Sequence, residues 1–317
     1  MFADSSVTVI ICAFSIDRWL LTNAAIESAL AQPETDEVVI VIDHNPALLD
    51  LARSRWSSSA VVIPNSHARG LSGARNSGIE AAVGSIIGFL DDDARATENW
   101  LATLLEPLAD ASVAAVGGSA RPVWPQGVEP RQLGPELYWI VGCSYRGLPT
   151  DTADVRNVIG CSMAFRRESL VHLGGFDEGI GRIGSLGLGC EETELCIRLT
   201  ADDPSARIVF VPASVVHHSV SADRVRWHYI AHRSFLEGVS KAVLVKSLGA
   251  SSGLSSESGY ARHVLPRAMV EAVRTGRPGR ALSIPLSLAA ASLGFLFGLV
   301  AASRARTVGR SRTEVAA

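Results

Sequence analysis

Ile86-Ile87-Gly88-Phe89-Leu90 runs straight into Asp91-Asp92-Asp93. A short apolar run without polar alternation reads as a strand buried on both faces. Three adjacent carboxylates at its carboxyl end repel one another, and a divalent cation offsets that cost. On an extended backbone Asp91 and Asp93 point to the same side. Hard oxygen ligands of this kind suit Mg²⁺ or Mn²⁺, which keep several waters and also grip a diphosphate. The blander alternative is an acidic turn that caps the segment after Ala94.

On either side of this stretch, strand and helix patterns alternate. Val7-Thr8-Val9-Ile10-Ile11 is a second β-branched run, and 38–42, 61–63 and 113–116 read the same way. Between them lie three helical patterns. The first has Asp17 as its cap and Leu20, Leu21, Ala24, Ala25, Ser28 and Ala29 on one face; the others cover 71–83 and 98–108. This order predicts an α/β fold with a mostly parallel, Rossmann-like sheet flanked by helices, and ligands beyond the carboxyl ends of its strands. Residues 121–154 break the pattern with five prolines and, between them, Trp124, Tyr138, Trp139 and Tyr145. Such a segment either lines a cleft or packs as a connector. Residues 155–165 are expected as a strand of a smaller mixed region, 208–211 as a strand closed by Pro212, and 221–246 as a helix.

The chain has 317 residues, 47% hydrophobic and 19% charged, enough for a sizeable core and unlike a disordered chain. Its net charge of −3 argues against a nucleic-acid-binding surface. Residues 261–317 hold nine Arg against Glu271 and Glu314, a net +7, which leaves −10 for the first 260. An acidic body with a basic tail points to an anionic partner for the tail, a membrane first. Within that tail, 281–303 is 23 residues without a charge, flanked by Arg274, Arg277 and Arg280 before and Arg304, Arg306, Arg310 and Arg312 after. A C-terminal apolar helix is expected there. A full crossing, a re-entrant hairpin, an interfacial helix and a buried helix of an oligomer all fit its length. Cys12, Cys143, Cys161, Cys190 and Cys196 form no CxxC pair, which reads as reduced, intracellular cysteine. The first apolar run is strand-length and has no basic residues before it, so no secretory signal is expected.

Four further patterns carry chemistry. Glu191-Glu192-Thr193-Glu194-Leu195-Cys196-Ile197-Arg198-Leu199 follows a glycine-rich approach over 181–189. Its glutamates open a helix whose dipole favours their ionised form, and one of them is suited to act as a general base; charge decoration of a surface helix is the alternative. Asp43, ending the second strand, either accepts the imide N–H of a uracil or makes a turn with Asn45-Pro46. Arg69-Gly70-Leu71-Ser72-Gly73-Ala74-Arg75-Asn76 opens a helix suited to phosphate, or is merely a cap. His217-His218 offers imidazole ligands or is structural.

Taken in order, these features resemble the inverting glycosyltransferases of family 2, with their GT-A, nucleotide-diphospho-sugar transferase fold. The matching stretches are Val7-Thr8-Val9-Ile10-Ile11-Cys12-Ala13-Phe14, Val41-Ile42-Asp43, Gly73-Ala74-Arg75-Asn76-Ser77-Gly78-Ile79, Phe89-Leu90-Asp91-Asp92-Asp93, Glu191-Glu192-Thr193-Glu194-Leu195-Cys196-Ile197-Arg198 and Val216-His217-His218. The resemblance implies a metal-dependent transfer of a sugar from a nucleotide-diphospho-sugar, a UDP-sugar first, to an acceptor hydroxyl. Cys12, Ala13, Phe14, Arg18, Asp43, Arg75, Asn76, Asp91 and Asp92 would serve the nucleotide-sugar. Asp91, Asp93 and His218 would hold Mg²⁺ or Mn²⁺, with His217 as the other register. Glu192 would be the catalytic base, with Glu191 in reserve. The family usually has Asp at that place, and the extra methylene of Glu displaces the carboxylate by about an ångström, a shift that matters for chemistry.

The implied organisation is a nucleotide-sugar-binding half over 1–120, an acceptor-binding and catalytic-base half over 121–245, and a basic tail over 246–317 associated with the cytoplasmic face of a membrane. The runs Trp139-Ile140-Val141-Gly142-Cys143-Ser144-Tyr145-Arg146-Gly147-Leu148-Pro149 and Leu188-Gly189-Cys190-Glu191-Glu192-Thr193-Glu194 resemble transferases of lipid-linked sugars, including glucuronosyl transfer onto glycosyl-dolichyl phosphate. That likeness implies a polyprenyl-phosphate-linked acceptor. For a uronic acid donor it implies an added cation, with Arg146, Arg156 and Arg182 as candidates. A membrane-tethered scaffold that kept the fold without catalysis is the rival reading, and the intact acidic residues argue against it. No nucleic-acid partner is expected.

Overall fold

A computed structural model describes residues 6–179, 182–183, 186–187, 189–248 and 259–314, with backbone alone for 182–183, 186–187, 248 and 302–314. Strands β1 (Val7–Ala13), β2 (Glu37–Ile42), β3 (Val61–Pro64) and β4 (Ile86–Leu90) pair in parallel in the spatial order β3-β2-β1-β4. Helices α1 (Trp19–Leu30), α2 (Pro46–Trp56) and α3 (Leu71–Ala81) make the crossovers. Alternate residues of each strand serve opposite faces, as a period of two requires. Val9, Ile11, Ile40 and Ile42 pack with Ala25, Ile26, Leu48 and Trp100 on one face. Ile10, Val39 and Val41 pack with Ala74, Phe89, Leu195 and Leu199 on the other.

Beyond β4 the sheet becomes mixed. The short β5 (Ala94–Ala96) and helix α4 (Trp100–Leu105) lead into β6 (Val113–Val123). After a two-residue β7 (Ala153–Asp154), strand β8 (Ser162–Arg166) inserts antiparallel between β4 and β6. The strand expected over 155–165 is thus confined to its last few residues and lies inside the main sheet. The boundary drawn at residue 120 falls within β6. Helix α5 (Arg167–His172), the antiparallel pair β9 (Arg182–Ile183) and β10 (Leu186–Gly187), and helix α6 (Glu191–Asp202) come next. Strand β11 (Arg207–Ser219) then runs parallel to β6. Pro212 does not close β11. It falls where the register shifts between Val211 and Val215, an irregularity that tolerates a residue without an N–H.

Two local readings change. Ser15, and not Asp17, caps the turn before α1, its hydroxyl accepting from the Asp17 N–H. The buried face of α1 is Thr22, Ala25, Ile26, Ser28 and Ala29, while Leu20 and Leu21 point outward.

Three helices complete the chain: α7 (Trp227–Leu248), α8 (Leu265–Arg274) and α9 (Pro278–Glu314). A third apolar cluster ties them to the connector through Leu133, Leu137, Ile140, Ile230, Leu265, Ala268 and Ile284. The α7–α9 crossing is close enough to exclude side chains. A Cβ on Gly238 would meet the Ala291 carbonyl oxygen at 1.9 Å, and one on Gly294 would meet that of Phe235 at 1.9 Å. Arg280 is not the solvated flank that its sequence position implies. It is 4% exposed, and its Nη2 lies 3.0 Å from Oε2 of the fully buried Glu136.

Candidate active site

A cavity of about 250 Å³ opens at the carboxyl ends of β1, β2 and β4, where parallel α/β sheets bind ligands. Cys12, Ala13 and Phe14 end β1 and line it, with Arg18 beside them. Asp43 enters from β2, Asp91, Asp92 and Asp93 from β4, and His218 from the end of β11. The 3₁₀ turn Pro135–Val141 contributes Trp139, Ile140 and Val141, so the aromatic segment both lines the cleft and packs as a connector.

Asp91, Asp93 and His218 converge, with one ligand atom from each lying within 4.8 Å of the others. His217 on the same strand is exposed, so the register falls on His218. Asp93 is the hub. Its Oδ1 lies 3.2 Å from His218 Nε2, and its Oδ2 lies 3.2 Å from Arg18 and 3.5 Å from Arg224. Burial raises the Asp93 pKa, but these cations prevail and draw it down to about 2. Burial would lower the His218 pKa, yet its bonds to Asp93 and to the Cys143 thiol raise it to about 10. Asp92 shares the same Arg18 Nη1, at 3.0 Å through its Oδ1, and its Oδ2 is buried with no hydrogen-bond partner. Burial and the neighbouring Asp93 charge push Asp92 up to about 7. Two carboxylates and an imidazole at this spacing, beside an unsatisfied buried oxygen, fit a hard divalent ion.

Asp43 spends both carboxylate oxygens on the protein. Oδ1 accepts from Asn65 and contacts His44, each at 2.8 Å, and Oδ2 accepts from the Gly70 N–H at 3.0 Å. It therefore fixes the loop that starts α3 while it lines the cavity.

Arg75 and Asn76 lie behind the cavity wall. Asn76 exchanges two hydrogen bonds with the backbone of Phe176, which pins α3 to the turn after α5. Arg75 is 2% exposed and sits between Phe89 and Phe176, 5.8 and 5.2 Å from their ring centres. Its Nη2 reaches Asp91 at 3.4 Å and the Gly160 carbonyl at 3.0 Å, and its Nη1 reaches Glu191 at 3.2 Å. One buried guanidinium thus joins the aspartate run to the start of α6. Glu191 is committed to Arg75, and Glu192 beside it is half-buried. Burial and the Glu191 charge push the Glu192 pKa up to about 8 against the pull of Arg75. Cys190, just before them, holds the left-handed conformation at φ 79°, a strained entry for a non-glycine residue.

The sequence reading missed Arg224, Tyr229 and Arg233 as cavity residues. Tyr229, Arg233, Glu237 and Lys241 recur every fourth residue on α7, a polar row on an otherwise apolar helix that marks a face turned to something other than the core. Of the cations implied for a uronic acid, neither Arg146 nor Arg156 is among the residues lining the cavity. Arg146 pairs with Glu271 on α8, Arg156 bonds its neighbour Asn157, and the Arg182 side chain lies outside the described residues.

The family model for glycosyl transferase family 2 matches residues 8–174. The chain belongs to glycosyl transferase family 2. This transferase is 32% identical over 242 residues to the glucosyl-dolichyl phosphate glucuronosyltransferase of Haloferax volcanii, covering 75% of the chain and 77% of that protein. It is 25% identical over 221 residues to the succinoglycan biosynthesis protein ExoM of Rhizobium meliloti, covering 67% and 66%. Among solved structures, the transferase resembles a mannosyltransferase of Pyrobaculum calidifontis, determined with GDP-Man and Mn²⁺. The TM-score is 0.63 at 19% identity, with 92% of this chain and 87% of that one aligned. The fold is therefore GT-A, and the enzyme is a glycosyltransferase.

Proposed function

We propose that the transferase moves a sugar, with inversion, from a UDP-sugar to a hydroxyl of a polyprenyl-phosphate-linked acceptor at the cytoplasmic face of a membrane, with Mg²⁺ or Mn²⁺ bound by Asp91, Asp93 and His218. The observation that carries this reading is the Arg75 bridge, which joins a metal-competent acidic cluster to a glutamate pair inside one buried network. The lipid-linked acceptor and a uronic acid donor are supported by the relative of known activity and by the apolar C-terminal helix.

The roles follow from the contacts. When bound, the divalent ion supplies positive charge to the diphosphate. Arg18 and Arg224, already in the cavity, orient the same group and offset the charge it gains on leaving. Asp43 holds the loop before α3 beside the donor's nucleobase. Glu191, neutralised by Arg75, keeps α6 in place. Glu192 accepts the proton of the acceptor hydroxyl as its oxygen attacks the anomeric carbon from the face opposite the diphosphate. One displacement inverts the centre and leaves the nucleoside diphosphate free.

A thermal-shift comparison of UDP, GDP, dTDP and CMP, each with and without Mn²⁺, tests this reading. UDP with Mn²⁺ at a hundred times its dissociation constant should stabilise the chain by about 2.7 kcal/mol, and Asp93→Ala should abolish the gain. Stabilisation by UDP that ignores both the metal and Asp93→Ala would remove the metal from the proposal.

A further inference from the structure

Among the cations of the cavity, Arg18, Arg224 and His218 all face the aspartates of β4. Arg233 does not. It lies on the α7 wall, one turn beyond Tyr229, and lines the same cavity. Its Nη1 is 3.1 Å from Glu237, whose carboxylate also takes Lys241 at 3.5 Å and the Cys190 thiol at 3.6 Å. Its Nη2 lies against Gly189, where an added Cβ would come within 3.0 Å. The Gly189 N–H bonds Ser240, again on α7. Arg233 therefore sits beside the loop that delivers Glu191 and Glu192, away from the aspartate cluster.

The opposite face of α7 has a different task. Phe235, Gly238 and Ala242 receive α9 at backbone distance. Its Pro278–Ala301 part is long and apolar enough to cross a membrane, with a mean hydropathy of 2.0 and only 22% of its apolar window buried. Leu282, Leu293, Leu296, Phe297 and Val300 are more than half exposed along it. One helix thus presents a guanidinium to the site on one side and seats a bare apolar helix on the other. An amphiphile with an anionic group near its reacting end and a hydrocarbon chain behind fits both sides together.

We propose that Arg233 binds the phosphate of an amphiphilic acceptor and selects such acceptors over neutral glycosides. Guanidinium is the side chain suited to two parallel bonds with phosphate oxygens. This rests on the transferase reading above and adds the residue that reads the acceptor.

The test uses the full chain in detergent, UDP-glucose and UDP-glucuronic acid as donors, and two acceptors with the same sugar: a short polyprenyl-phosphate glucoside and octyl glucoside. Wild type should prefer the phosphate acceptor in kcat/KM. Arg233→Gln should shrink that preference at least tenfold through KM, and Arg233→Lys should restore part of it. The KM ratio of the two donors should stay constant. A change confined to UDP-glucuronic acid would overturn the proposal by assigning Arg233 to a donor carboxylate. An equal fall in kcat on both acceptors would overturn it by making Arg233 a prop for the Gly189–Cys190 loop. No transfer by wild type from either donor to either acceptor would count against the parent reading, and this proposal would fall with it.

Discussion

At the scale of single residues, the site turns on how one charge sets another. Glu191 and Glu192 are chemically identical and adjacent, yet only Glu191 has Arg75 within 3.2 Å. Glu192 is left half-buried beside a negative neighbour, which lifts its pKa to about 8. A base must be unprotonated to act, so kcat/KM should climb with pH up to about 8 and then level off. Glu192→Gln should cut transfer by about 10²–10⁴-fold, the usual worth of a positioned general base, and should flatten that pH profile. Calorimetry should show donor affinity within a few-fold of wild type. Lost donor binding with turnover retained per bound donor would move the base elsewhere. Residue chemistry made much of this legible in advance. A triple aspartate after an apolar strand is costly unless something neutralises it, and a glutamate pair at a helix start is visible in one dimension. The role of Arg75 was hidden, because its partners stand 16 and 116 residues away.

At the scale of elements, local pattern predicted the parallel strands β1 to β4 because each is a dense apolar run with no competing period. It did not predict that β8 would enter antiparallel between β4 and β6. Ser162–Arg166 is short, and its neighbours are fixed by sheet geometry that composition does not encode. The α7–α9 contact was equally invisible. Glycines at 238, 294 and 298 look like weak points of two helices until the helices are seen at backbone distance. Gly294→Ala must push Phe235 away and should cost about 1–3 kcal/mol, the usual price of overpacking. Gly259→Ala, with nothing within 4 Å, is the matched control. Equal melting temperatures for the two variants would contradict this crossing.

The Glu136–Arg280 pair acts between the connector and α9. Arg280→Ala leaves a fully buried carboxylate without its cation and should cost about 3–5 kcal/mol. Replacing both partners with methionine should be far milder. Denaturant unfolding of the two variants separates these outcomes.

At the scale of the whole molecule, the first helices of the basic tail pack onto the acidic body. Tyr260 stacks edge-on against Tyr145 and contacts Trp139 and the Glu136 backbone, while Arg146 reaches Glu271. Helix α8 shows Met269, Val270 and Val273 to solvent, close in sequence to Arg267 and Arg274. Apolar and basic side chains together favour an anionic bilayer surface. The full chain should float with vesicles containing anionic lipid and stay bound in high salt, because buried apolar area is not screened. Complete release by salt would reduce the tail to an electrostatic contact.

The thinness of α7 has one more consequence. The Gly238 and Gly294 contacts bring the backbones of α7 and α9 together with no side chain between them. On the reading proposed above, with α9 in an apolar phase, a lipid-linked acceptor would present its hydroxyl at one shallow height. The enzyme would then act as a ruler, and an acceptor whose sugar stem is one unit longer should be a poorer substrate. Equal kcat/KM for the two stem lengths would remove this ruler.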